Sequence, residues 1–142
     1  MSRFKALIFL SCLCITLPVF ANEVDSLRRK ILYSSGIEKV NLINSLIPNF
    51  YIDDKSDSCQ KYAETALVVS KGIKYFNGEI DAFNRMALVY SFYNKQKCLE
   101  NAQKALKMSQ KTEYQKGEAE ANYFLGTYYL AHDPFMALGY FA

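Results

Sequence analysis

The sequence contains no tryptophan, and it has only three prolines, six glycines and one histidine among its 142 residues. So little proline and glycine excludes collagen-like chains and low-complexity chains rich in these residues. The four cysteines form neither a CxxC motif nor a Cys/His cluster with zinc-ligand spacing. The sequence therefore predicts no metal site and no cofactor.

An excess of charge of one sign is also missing. Arg3 and Lys5 belong to the leader described below, and without them the chain carries 15 basic and 14 acidic residues, a formal net charge of +1. This balance gives no electrostatic basis for binding nucleic acid. The composition, 51% hydrophobic and 22% charged, is instead typical of a globular domain that buries a core.

Residues 1–21 have the pattern of a secretory signal peptide. Two basic residues precede an apolar run, and Val19 and Ala21 stand where a signal peptidase requires small residues. The run of about 12 to 15 residues is shorter than the roughly 20 residues of a membrane-spanning helix. We predict cleavage after Ala21 and export to the periplasm or another extracytoplasmic space. An uncleaved anchor and a lipoprotein modified at Cys12 or Cys14 are the alternatives.

Internal similarity at an offset of 39 residues is the main indication of the fold. Residues 59–70 align with residues 98–109 with identical Cys, Ala, Ala, Leu and Ser. The same offset pairs Tyr75, Gly78, Glu79, Ala82 and Tyr90 with Tyr114, Gly117, Glu118, Ala121 and Tyr129. Apolar residues recur three or four positions apart in each segment, which predicts helices and no strand. Gly78 and Gly117, each followed by Glu, are predicted to lie in loops just before a helix.

The pattern Phe83-x-x-Met86-Ala87-x-x-Tyr90, followed by Cys98 and by Ala102-x-x-Ala105-Leu106, resembles a tetratricopeptide repeat. The segment 122–141 resembles the next copy. A more degenerate copy runs from about Lys39 to Ser70 and has Pro48 where the family has a small residue, which predicts a kink or an early end of its first helix.

The resemblance implies an all-α, tetratricopeptide-like helix-turn-helix solenoid of about three repeats of period 39, truncated at the C-terminus. It divides the chain into the leader at residues 1–21, a partly helical segment at residues 22–37 and the repeat domain at residues 38–142. Equivalent points on stacked helices lie about 8 to 10 Å apart, beyond the roughly 7 Å between Cα atoms that a disulfide allows. We therefore predict that Cys59 and Cys98 are unpaired and buried, and leave any redox role open.

The resemblance also implies a function, because the first helices of such repeats line a concave surface that binds extended peptides. By register, the projecting side chains are Asp81, Asn84, Arg85, Leu88, Glu120, Tyr123 and Thr127. The alternative is that these are ordinary solvated residues opposite a packed stripe. The predicted function is an exported protein-protein interaction scaffold that binds a peptide or protein partner.

A second interpretation is a sensor region. Long-period repeats that follow a leader and open with Lys39-Val-x-Leu-Ile-Asn-x-Leu46 are similar to the extracytoplasmic regions of histidine kinases and transcription regulators of Bacteroidota. This resemblance implies a truncated signal-transduction protein, which reaches the membrane only through a missing C-terminal part.

Catalytic patterns are absent from the sequence. The lone His132 precedes Asp133-Pro134, which is typical of a turn and a helix start. Asp53, Asp54 and Asp57 lack the glycine and glutamate of a calcium-binding EF-hand loop. No glycine-rich phosphate loop, nucleophile elbow or carboxylate pair occurs. We therefore predict that the protein is not an enzyme.

Overall fold

The computed structural model describes residues 23–50 and 56–142, and these residues form helices and no strand. The described part of α1 spans residues 23–33. The following helices are α2 (Gly36–Phe50), α3 (Ser56–Gly72), α4 (Phe76–Tyr90), α5 (Lys95–Thr112), α6 (Gln115–Leu130) and α7 (Pro134–Phe141). The all-α prediction is confirmed. The predicted leader and the Asp53-Asp54 pair lie outside the described residues.

Helices α2 to α7 pack in chain order, each against the next. In addition, α2 contacts α4 and α4 contacts α6, whereas α3, α5 and α7 contact one another little or not at all. The even-numbered helices therefore lie side by side. We call the surface that α2, α4 and α6 form the three-helix face.

Small side chains allow the helices to approach one another closely. Ala63 and Ala66 of α3 and Ala102 and Ala105 of α5 are fully buried. They share the core with larger apolar residues of the neighbouring helices, among them Ile43, Leu46, Ile47, Ile80 and Leu125. Close packing of this kind is the main source of stability in a helical domain, because helices of this length are marginal in isolation.

Cys59 and Cys98 begin the buried stripes of α3 and α5, and both are free thiols. Burial raises the pKa of the Cys59 thiol and raises that of Cys98 to about 11. A thiol with so high a pKa is almost entirely protonated at neutral pH and is a poor nucleophile. The prediction of two buried, unpaired cysteines is confirmed.

Gly78 and Gly117 correct the sequence prediction, because they lie inside the first turns of α4 and α6 and not in loops. A Cβ atom at Gly78 would come within 2.7 Å of Val40 Cγ1, and one at Gly117 within 2.9 Å of Ser109 Oγ. These glycines are therefore needed for close approach between helices. The left-handed turn residues are instead Lys74 and Glu113, each with φ of 55°.

Pro48 is a second correction. It lies within α2, which continues to Phe50 and has the same 15 residues as α4. The predicted early end of this helix is therefore not observed. Pro48 is exposed near the end of α2.

The predicted start of a helix at Asp133-Pro134 is confirmed. Asp133 Oδ1 accepts hydrogen bonds from the backbone N–H groups of Phe135 and Met136, both at 3.1 Å, and Pro134 occupies the first turn. This is the usual chemistry of a helix N-terminus. Asn94 caps α5 in a similar way by accepting from the Lys97 N–H at 3.0 Å.

Candidate functional site

All seven predicted site residues lie on α4 and α6, two of the three helices of the three-helix face. The structure places them in three different environments. Asn84 is fully buried, Asp81 is 7% exposed, and Tyr123 is 57% exposed. Arg85, Leu88 and Glu120 are half-buried, and Thr127 is exposed.

Asn84 does not project from the surface, which corrects the sequence prediction. Its Nδ2 donates a hydrogen bond of 2.9 Å to the carbonyl oxygen of Gly117 in α6. In the same way, Asn44 Nδ2 of α2 donates to the carbonyl oxygen of Gly78 in α4 at 3.3 Å. Each asparagine thus ties one helix of the face to the next. The Oδ1 atoms of both asparagines are buried, and neither has a hydrogen-bond partner within the described structure.

Two tyrosines form a second set of ties between these helices. Tyr75, just before α4, donates its hydroxyl to Asn41 Oδ1 of α2 at 3.2 Å. Tyr114, just before α6, donates to the two carboxylate oxygens of Asp81 in α4 at 3.1 and 3.3 Å. Asp81 was also predicted to project, but it is a mostly buried carboxylate that holds a neighbouring loop.

Burial dominates the electrostatics of Asp81 and raises the pKa of its carboxyl group. The ammonium group of Lys116 and the Tyr114 hydrogen bond act in the opposite direction, but more weakly. Lys116 Nζ is 3.8 Å from Asp81 Oδ2, and the lysine side chain is 63% exposed. The pKa of Tyr114 is raised above its usual range by burial first and by the Asp81 charge next. Asp81 thus has no close cationic partner among the described residues.

Arg85 and Glu120 are brought together, because they form an ion pair between α4 and α6. The two side chains are 14% and 28% exposed. The pair links two residues that the sequence predicted as separate binding groups. Because each charge neutralises the other, neither is a free anchor for a charged ligand.

A cleft of about 320 Å³ opens between α2, α4 and the start of α6. We call it the polar cleft. Its polar lining includes Asn41, Asn44, Asp81, Arg85, Tyr114 and Lys116. Of these residues, the sequence predicted only Asp81 and Arg85.

A second hollow, of about 300 Å³, lies on the other side of α4, against α6. We call it the aromatic groove. Its lining includes Leu88, Cys98, Tyr123, Phe124, Thr127 and Tyr128. An adjoining shallow hollow is lined by Arg85, Leu88, Glu120 and Tyr123, and it connects the groove to the ion pair. The structure thus brings three predicted residues, Leu88, Tyr123 and Thr127, to one groove.

The sequence analysis did not find the site residues of α2 or the tyrosine ties. Tyr75 and Tyr114 were visible as identical residues 39 positions apart. Their role was not, because their partners Asn41 and Asp81 lie 34 and 33 residues earlier in the chain.

Within residues 23–50 and 56–142, no three His, Cys, Asp or Glu side chains are grouped so that they could hold a metal ion. No helix in this part of the chain has the length and apolar character needed to cross a membrane. Comparison with protein-family models, curated proteins and solved structures finds no match for this chain.

Proposed function

We propose that the protein is an exported, non-catalytic interaction scaffold, and that its three-helix face holds an extended segment of a partner protein. In this proposal the helix pairs α2–α3, α4–α5 and α6–α7 are tetratricopeptide-like units. The α4–α5 and α6–α7 pairs begin at residues 76 and 115, which are 39 residues apart. The asparagine and tyrosine ties join α2 to α4 in the same manner as α4 to α6.

The packing of the helices supports a curved stack. The even-numbered helices contact one another, whereas the odd-numbered helices are farther apart. In a stack of paired helices, the row whose members approach most closely lies on the inside of the curve. The three-helix face is then the concave surface, and a chain lying along it crosses α2, α4 and α6 in turn.

The observation that carries the proposal is the continuity of two hollows across α4. The polar cleft and the adjoining hollow share Arg85, and that hollow and the aromatic groove share Leu88 and Tyr123. Exposed aromatic side chains beside a few polar groups are typical of protein-binding surfaces. Tyr123 is the most suitable anchor, since its ring packs edge-on against Phe124 at 5.4 Å and is still 57% exposed.

The test uses the mature chain, residues 22–142, and a phage-displayed library of random peptides. Peptides selected by this chain are measured against an Arg85→Ala/Tyr123→Ala double variant. We expect their affinity to fall by about tenfold or more, since a lost interface anchor typically costs more than 1 kcal/mol. The helical circular dichroism signal should be unchanged.

The matched control is a Tyr33→Ala/Lys107→Ala double variant, which removes the same kinds of side chain from exposed positions on α1 and α5. Its affinity for the selected peptides should equal that of the unmodified chain. Full binding by the Arg85/Tyr123 variant, or an equal loss in the control, would reject the three-helix face as the binding surface.

The sensor-region alternative uses the same face. A reading frame that continues beyond residue 142 into a membrane-spanning helix and a kinase or DNA-binding domain would favour it.

A further inference from the structure

We infer that the polar cleft selects a basic side chain, lysine or arginine, in the bound segment. We further infer that an apolar side chain about three residues away in that segment enters the aromatic groove. The inference rests on the proposed function and adds the chemistry of the partner to it.

The first argument is a surplus of hydrogen-bond acceptors in the cleft. The Asp81 carboxylate is buried with its residue 7% exposed, and at hydrogen-bond distance it receives only the Tyr114 hydroxyl from the described residues. A carboxylate offers about four lone-pair positions. Asn44, which is 6% exposed, contributes an Oδ1 atom that has no donor in the described structure. Buried acceptors are normally paired, so these two groups favour a ligand that brings several N–H donors.

The second argument concerns charge. Lys116 Nζ lies 3.8 Å from Asp81 Oδ2, which is longer than a hydrogen bond, and its side chain is 63% exposed. This lysine can turn into solvent without breaking a buried contact. The raised pKa of Asp81 agrees with a carboxylate that lacks a close counter-charge. A ligand cation in the cleft would supply that counter-charge.

Ligands of other charge fit the cleft less well. An anion would meet the Asp81 carboxylate, and Arg85 is already neutralised by Glu120. A neutral side chain would cover Asp81 and leave its charge buried without a partner, which is costly. The cleft therefore discriminates in favour of ammonium and guanidinium groups.

The distance between the two subsites follows from helix packing. The polar cleft lies between α2 and α4, and the aromatic groove lies between α4 and α6. Neighbouring helices are about 8 to 10 Å apart, and an extended chain advances roughly 3.3 Å per residue. The basic and apolar residues of the partner should therefore be about three positions apart.

The test measures fluorescence anisotropy with the mature chain, residues 22–142, and labelled peptides that are acetylated and amidated. Each peptide carries Lys and Phe three positions apart in a Gly/Ser background, in both orders. Matched peptides replace Lys with norleucine or Glu, or replace Phe with Ser. We expect the better Lys/Phe peptide to bind about tenfold more tightly than its norleucine partner, because hydrogen bonds to charged groups are strong.

Two variants assign this preference to the cleft. Asp81→Asn keeps the shape of the side chain and should abolish the Lys-over-norleucine preference, with little change for the norleucine peptide. Lys116→Met should strengthen binding of the Lys peptide several-fold, because it removes the competing ammonium group. Glu100→Gln is the matched control, since Glu100 is an exposed carboxylate on α5, and it should change nothing.

The outcomes separate the two proposals. If every Phe-containing peptide binds but Lys gives no advantage, or if the advantage survives in Asp81→Asn, the cleft assignment is rejected and the groove proposal stands. Tighter binding of the Glu peptide also rejects the assignment. If no peptide binds the unmodified chain, both proposals fail.

Discussion

Asp81 shows how one residue can be unfavourable for folding and suited to binding. It lies in the second turn of α4, its carboxylate is mostly buried, and its close protein partner among the described residues is the Tyr114 hydroxyl. Native proteins commonly keep such groups where a ligand completes their interactions, at some loss of stability. The loss can be measured separately from binding.

The raised pKa of Asp81 predicts the direction of the pH dependence. The native state binds this proton more tightly than the unfolded state does, so the free energy of unfolding falls as pH rises from about 4 through the raised pKa. Asp81→Asn lacks this contribution. We expect the variant to be as stable as the unmodified chain or more stable at pH 7, with its relative advantage smaller near pH 4.

The measurement is urea unfolding, followed by circular dichroism, at a series of pH values for both proteins. Glu100→Gln serves as the control, since its carboxylate is exposed. A variant that is clearly less stable than the unmodified chain at pH 7 would show that the Asp81 carboxylate is stabilising, contrary to the prediction.

At the scale of the helices, the first turns of α4 and α6 decide how closely each packs on the preceding elements. Gly117 lies in the first turn of α6, where its missing Cβ leaves room for Ile80 of α4 and for Ser109 of α5. Its carbonyl oxygen accepts the hydrogen bond of Asn84. A single small residue therefore determines both the separation of α4 and α6 and the tie between them.

Gly117→Ala should destabilise the fold, although alanine favours a helix. The added Cβ would stand 2.9 Å from Ser109 Oγ and also press on Ile80 and the Tyr114 ring, and overpacking of this kind costs about 1 to 3 kcal/mol. The matched control is Gly72→Ala at the end of α3, where nothing lies within 4 Å of an added Cβ.

Equilibrium unfolding in urea gives both values. The control should be neutral or stabilising by up to about 1 kcal/mol, since glycine is a poorer helix former than alanine. Equal stability of the two variants would mean that α4, α5 and α6 pack less closely at Gly117 than the structure has them.

At the scale of the whole molecule, export determines the conditions in which the fold has to persist. An exported chain meets an oxidising environment, where exposed thiols form disulfides. Cys59 and Cys98 are buried, and burial raises the pKa of both thiols. These features protect the two cysteines from oxidation after export.

The export prediction itself is tested on the chain produced in a bacterial host with its leader intact. N-terminal sequencing of the periplasmic fraction should give a protein that begins at Asn22, because Val19 and Ala21 form the cleavage site. Ala21→Arg, which places a large charged side chain at that site, should leave the leader attached. An intact Met1 in the exported, unmodified protein would contradict the prediction.

Several features of the fold could be predicted from the sequence alone because they depend on neighbours within one helix. Apolar residues three and four positions apart predict helices, and Asp133-Pro134 predicts a helix start that the structure confirms. The small residues Cys98, Ala102 and Ala105 were placed on one stripe, and all three are buried. These patterns are local, so no knowledge of the tertiary arrangement was needed.

The tertiary structure alone decided which polar residues remain available for binding. Asn84 and Asp81 occupy helix positions that read as surface positions, yet Gly117 and Tyr114, more than 30 residues later, cover them. Gly78 and Gly117 read as loop residues, but their function is close contact between helices. The physical reason is that the periodicity of a helix tells which residues share a side, whereas burial of that side depends on elements that are distant in the chain.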